Sequence, residues 1–163
     1  MILLKVERIG VDVNSHQAVV LLHEVEGERI LPIWIGPLEA NAIAVSLEGV
    51  KPARPLTHDL TLNMLEVAGG KVESVLVDDV HDGTFYAQIT FSIGGGNREV
   101  DSRPSDAIAL ALRAGAPVYA TDKVMASAAV AAVHGGEEEE GEGKKDDKEE
   151  GKGPGPGRSG PVV

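Results

Sequence analysis

Two stretches of this chain, GPLEANAIAVSLEGV and RPSDAIALALRAGAP, superimpose at a displacement of 67 residues, with Pro37 over Pro104, Glu39 over Asp106 and Ala40, Ala42 and Ala44 over Ala107, Ala109 and Ala111. Both open in a way that suits a helix. Proline is at home in the first helical position, where its missing N–H leaves no hydrogen bond unmade. A carboxylate in the first turn complements the helix dipole. Ala107, Ile108, Ala111 and Leu112 then fall on one helical face, and small residues there allow close approach to a sheet. The repeated motif predicts an internal duplication.

What precedes each helix fits a strand-strand-strand-helix unit. VERIGVDV and AVVLLHEV, joined by the turn-like Asn14-Ser15-His16, form a hairpin, and ERILPIWI follows. KVESVLVDDV and FYAQITFSI, joined across His81-Asp82-Gly83-Thr84, form a second hairpin, followed by NREVDS after the Gly94-Gly95-Gly96 turn. All are rich in the β-branched and apolar residues that suit strands. Between the units, KPARPLTHDLTLNMLEVAGG predicts a helix capped by Thr57 or Asp59, with Leu60, Met64 and Val67 as its apolar face and Gly69-Gly70 ending it. APVYA is a short strand, and DKVMASAAVAAV is a last helix opening at an Asp122 cap. Trp34 is expected to fill the core. The predicted fold class is α+β, a mixed sheet with helices packed on it, over residues 1–134.

From Gly135 onward the chain is Gly, Pro and clustered charge, a composition that cannot offset the entropy of ordering, so residues 135–163 are predicted to be a disordered acidic tail. The formal net charge is −11, of which −7 belongs to residues 1–134. An acidic body repels phosphate backbones, so any nucleic-acid chemistry needs a local basic patch or bound cations. Aromatics at 3% leave few platforms for stacking bases. The absence of cysteine removes disulfides, thiolate metal sites and cysteine nucleophiles, and fits a reducing cytoplasm. Charges at Lys5, Glu7 and Arg8 interrupt the N-terminal apolar run, which argues against a signal peptide, and no membrane association is expected.

Three polar clusters invite chemistry, and each has a plainer alternative. His58 and Asp59, after Arg54-Pro55, suit acid–base work or ligation by imidazole and carboxylate, or else helix capping. Asp101, Arg103, Ser105 and Asp106 crowd the start of the second alanine-rich helix, where they suit gripping a phosphate or a metal, or else a self-contained cap and salt bridge. Glu39 is the counterpart of Asp106. If the two units pack about a pseudo-twofold axis, the two carboxylates meet in one cleft, a place for Mg²⁺ or Mn²⁺; taken singly, each is a first-turn charge.

LPIWIGPLEANAIA, RPLTHDL and DSRPSDAIALALR, in that order, resemble the bifunctional nuclease family of bacteria and plants, over about Leu3 to Val133. The resemblance implies a compact α+β domain, homo-oligomeric assembly and nuclease activity on RNA and DNA. The residues at its polar motif positions are Glu39, Arg54, His58, Asp59, Asp101, Arg103, Ser105 and Asp106. For phosphodiester hydrolysis we expect Asp101, Asp106 and Glu39 to hold a divalent cation and Arg54 and Arg103, with Ser105, to bind phosphate. His58 is expected to act as base or acid, oriented by Asp59. The competing reading is a noncatalytic homo-oligomeric binding or regulatory module, in which the same groups are caps and interface salt bridges.

Overall fold

The computed structural model describes residues 1–13, 15 and 17–132; Asn14, His16 and the predicted tail lie outside them. Period-two alternation decides which side of the sheet the helices take. In β1 (Ile2–Val11) Leu4 and Val6 are buried, in β2 (Ala18–Glu24) Val20 and Leu22, and in β3 (Arg29–Ile35) Leu31 and Ile33. After β3 come α1 (Pro37–Leu47) and α2 (Thr57–Val67). The second half supplies β4 (Lys71–His81), β5 (Thr84–Ile93), β6 (Gly96–Ser102) and α3 (Pro104–Ala114), then β7 (Val118–Ala120), α4 (Asp122–Ala128) and β8 (Val130–Ala131).

The strands form one eight-stranded sheet in the order β6-β5-β4-β7-β1-β2-β3-β8. β4 and β7 are parallel and every other neighbouring pair is antiparallel, so the sheet is mixed. The duplication is visible in the element bounds: α1 and α3 are displaced by 67 at both ends (37 to 104, 47 to 114), and so are β3 and β6 (29 to 96, 35 to 102). The two meanders run outward from β7 in opposite directions. β1 is antiparallel to β7 and β4 parallel to it, so the first strands of the two units point opposite ways, as a twofold relation through the sheet requires. α1 packs on β1 and β2, α3 packs on β4 and β5, and the two helices pack on each other. The helix openings are thereby brought side by side.

α3 lies at the centre. Ala107, Ile108 and Ala111 are buried as predicted, and Ala109 and Leu110 are buried too, because the sheet covers one side and α1 and α2 the other. Gly115, in the left-handed conformation at φ 66°, ends the helix without the steric cost that a side chain would bring.

Four expectations are corrected by the structure. Leu56, not Thr57 or Asp59, occupies the N-cap position of α2, and Asp59 reaches back from the first turn to accept the Leu56 N–H at 2.8 Å. Leu60, Met64 and Val67 face outward, at 53%, 65% and 90% exposure, because α2 turns Leu62 and Leu65 toward the core. Trp34 is 52% exposed: Leu31 and Ile33 face the helices, so alternation sends Trp34 to the opposite side. The last helix is capped by Thr121, whose Oγ1 accepts the Val124 N–H, and stops at Ala128. Ala129 is extended and Val130–Ala131 pairs with β3.

Candidate active site

Arg103 is the residue between β6 and α3, held extended at φ −68° and ψ 142°. From there its guanidinium spans both helix openings. Nε donates to Asp106 Oδ2 at 2.8 Å and one terminal nitrogen donates to Glu39 Oε1 at 2.9 Å. The equivalent carboxylates of the two repeats therefore share one cation. The other carboxylate oxygen of Asp106 meets His58 Nε2 at 3.1 Å, which brings in the first turn of α2. A chain of four groups results, Glu39–Arg103–Asp106–His58, drawn from three helices. It lines a cleft of about 330 Å³ with Leu38 and Leu56 on its rim.

The cleft is anchored from behind by a residue that the motif reading passed over. Arg113, in the last turn of α3, is only 8% exposed. Its Nε donates to Asp59 Oδ1 at 2.8 Å, and a terminal nitrogen donates to the carbonyls of Ala42 at 3.0 Å and Ala109 at 2.9 Å. One buried guanidinium thus ties α1, α2 and α3 together. Asp59, expected to orient His58, has both oxygens engaged elsewhere, one by Arg113 and one by the Leu56 N–H. The carboxylate that orients His58 is Asp106. The signal for Arg113 was present, since it is the lone charge in the apolar run AIALALRAGA, and a buried cation must find acceptors.

Burial alone would push the Asp106 carboxyl up, but hydrogen bonds from Arg103 and then His58 outweigh it and hold the group below its ordinary value. The same balance holds for Asp59, where burial is overcome by the Leu56 N–H and Arg113. Arg103 is held more firmly protonated by Asp106 and then Glu39. With Asp106 ionised, the proton of a neutral His58 belongs on Nε2, which leaves Nδ1 as the basic nitrogen.

The remaining predicted residues stand apart from this network. Ser105 is buried at 6% and lines a second cleft of about 470 Å³ that lies between Trp34, Phe85 and Arg103. Asp101 lies on edge strand β6, opposite Gln88, and makes no ion pair with the cluster. Arg54 sits in the exposed loop before α2 and makes no ion pair among the described residues. Nor do the described residues contain a group of three or more His, Asp or Glu side chains arranged to hold a metal ion. Arg103 occupies the space between the two carboxylates that a cation would need.

The Bifunctional nuclease domain family model matches residues 20–132, which include every member of the Glu39–Arg103–Asp106–His58 chain. An uncharacterized protein of Mycobacterium tuberculosis (strain ATCC 25618 / H37Rv) is 43% identical over 135 residues, covering 83% of this chain and 80% of its own length. Bifunctional nuclease 1 of Arabidopsis thaliana is 32% identical over 111 residues, 66% of this chain. Bifunctional nuclease 1 of Oryza sativa subsp. japonica is 25% identical over 116 residues, 69% of this chain. The matched segments span 34% and 35% of those two plant proteins, so the resemblance is to one part of each. No helix among the described residues is long and apolar enough to cross a membrane. The matched segment, with its paired helix openings and their shared arginine, belongs to the bifunctional nuclease domain family, and so does this chain.

Proposed function

We propose that this protein hydrolyses phosphodiester bonds of RNA or DNA at the Glu39–Arg103–Asp106–His58 cleft. The observation that supports this most is the joining of a histidine, its orienting carboxylate and an exposed arginine in one cleft of a bifunctional nuclease domain. Arg103 uses Nε and one terminal nitrogen on its carboxylates, and the other terminal nitrogen makes no hydrogen bond among the described residues. That nitrogen, with its N–H donors, is suited to a phosphoryl oxygen. In this reading His58 Nδ1 takes the proton of an attacking water, Asp106 stabilises the imidazolium, Arg103 offsets the charge growing on the phosphoryl oxygens, and the leaving oxygen is protonated from solvent. In this reading Arg54, in the exposed loop before α2, attracts substrate phosphates toward the cleft, and Ser105 and Asp101 take no part in the chemistry.

A divalent cation, Mg²⁺ or Mn²⁺, was expected on Glu39, Asp106 and Asp101. The donor set does not fit it as arranged: Arg103 neutralises two of these carboxylates and the third lies outside the cluster. The test is cleavage of labelled single- and double-stranded RNA and DNA with Mg²⁺, Mn²⁺ or EDTA, for the parent and for Asp106→Ala. Activity that follows the protein through successive columns and is lost in Asp106→Ala with the fold intact supports the reading. Equal rates for variant and parent place the chemistry elsewhere.

A second reading, a noncatalytic homo-oligomeric binding or regulatory module, draws support from the outward apolar face of α2 and from the lack of a basic stripe on a body of net charge −7. A homogeneous protein that binds but never cleaves these substrates favours it.

A further inference from the structure

We infer that the second cleft at Arg103, the one lined by Ser105 and Phe85, receives the nucleoside adjoining the bound phosphate, and that the substrate is therefore single-stranded. The inference rests on the reading of the Glu39–Arg103–Asp106–His58 cleft as a phosphodiester site. Two clefts meet at Arg103. One holds His58, and the other, of about 470 Å³, is lined by Ile33, Phe85 and Ser105. Glu39 and Arg103 are the residues common to both, and their 2.9 Å ion pair stands between them. A phosphodiester carries a nucleoside on each side. A phosphate held by the unengaged terminal nitrogen of Arg103 therefore extends its chain toward both clefts.

The second cleft suits an uncharged group with an apolar face and a polar edge. Arg103 is its one cation, already shared by two carboxylates, and Glu39 repels a further phosphate. Ile33 and Phe85 supply an apolar wall. Ser105 supplies the polar contact. It is the one buried polar or charged residue among those described, at 6% exposure, and its hydroxyl makes no hydrogen bond to any of them. Asp78 Oδ1 is the one buried side-chain polar atom among them that is sealed off without a partner, so the Ser105 hydroxyl is not sealed off, and the space that it borders is this cleft. A nearly buried hydroxyl gains from a partner that the fold does not give it. Because it donates as well as accepts, it suits a sugar hydroxyl or the edge of any base. The Ser105 N–H lies in the first turn of α3, where backbone donors have no helical partner, and adds a second polar group beside it. The volume falls within the roughly 300–1,000 Å³ of small-ligand sites. A base inside a duplex has both faces stacked and its pairing edge occupied, so only an unpaired nucleoside enters.

The test measures KM and kcat of the full chain, Ser105→Ala and Phe85→Leu on a labelled single-stranded oligonucleotide and on the same sequence annealed into a duplex. The parent should cleave the single strand at least about tenfold more efficiently than the duplex. Each variant should raise KM for the single strand at least about threefold and keep kcat and its pH profile, because the nucleoside is held equally before and during the reaction. A parent that cleaves the duplex as fast as the single strand overturns the inference while the phosphodiester reading stands. So do variants whose KM stays at the parent's. A parent that cleaves neither removes the phosphodiester reading, and calorimetric titration then decides the cleft. Adenosine monophosphate should bind at least about tenfold more tightly than inorganic phosphate, and both variants should narrow that gap. Equal affinities, or a gap that the variants leave unchanged, overturn the inference. If Phe85→Leu melts well below the parent, Ser105→Ala decides alone, since removing a hydroxyl without a partner leaves the fold intact.

Discussion

Gly36 and Arg103 occupy the same place in the two repeats, one residue before the proline that starts each helix, yet they do opposite things. A Cβ at Gly36 would meet only the far end of the flexible Glu39 side chain, so glycine there spares Glu39 a small shift. Its φ of −72° makes no other demand for glycine. Arg103, in the equivalent position, supplies the cation that Glu39 reaches. Ten residues further on the repeats differ again: Ser46 in α1 corresponds to Arg113 in α3, and only Arg113 crosses to the neighbouring helices. The lesson is that symmetry sets two equivalent helix starts side by side, and its breaking, by two arginines in one copy, turns them into a single centre.

Removing the arginine that has no equivalent should have the largest effect. Arg113→Ala leaves Asp59 and the Ala42 carbonyl without their partner in a largely buried setting, and we expect a loss of about 3 kcal/mol. Ser46→Ala should cost under about 0.5 kcal/mol. Calorimetric melting of both variants checks the contrast, and equal shifts would mean that Arg113 is not the anchor. The packing contrast is next in size. Ala111→Leu in buried α3 should cost about 1–3 kcal/mol by overpacking, and its counterpart Ala44→Leu, on the partly exposed α1, should cost less than about 1 kcal/mol. Denaturant midpoints measure both.

The smallest effect is expected in acid. Asp59 and Asp106 are held below the ordinary carboxylate value in the folded chain. The stability they contribute is therefore fully present above the unfolded aspartate pKa of about 3.9 and is lost as pH falls through their folded values. Asp79, at the far end of β4, follows the same rule: Lys123 first, then the Val80 N–H, hold it at about 2. Melting temperatures taken from neutral pH down to about pH 3 should fall more steeply for the parent than for Asp106→Asn, because the variant has one fewer proton to take up.

How much of this was legible follows from where each signal lies. The strands and the two alanine-rich helices could be read because alternation and helical spacing are local, and the duplication because its displacement of 67 is a property of the string. The sharing of a cleft by Glu39 and Asp106 was legible only as a condition on pseudo-twofold packing. The partner of His58 was not legible at all. Asp59 is adjacent in sequence, whereas Asp106 is 48 residues away, and only packing of α2 against α3 chooses between them. Leu60, Met64 and Val67 show the limit of periodicity, which identifies an apolar face but not the side on which the body lies. Trp34 was misjudged for the opposite reason: its size suggested the core, while the alternation of Leu31 and Ile33 already sent it outward. Arg113 lies at no motif position, and its signal, an isolated charge in an apolar run, does not say which acceptors the folded chain brings to it.

The claim that carries the account is that the two repeats contribute to one reacting centre through Arg103. It is tested most directly by the cleavage rates of Glu39→Gln, Asp106→Asn and the double variant on one labelled single-stranded substrate. A shared centre predicts that both single variants slow cleavage, Asp106→Asn more because it also releases His58, and that the double variant falls short of the product of the two losses. Losses that multiply cleanly, or single variants that cleave at the parent's rate, would show that the carboxylates joined by Arg103 do not form one centre.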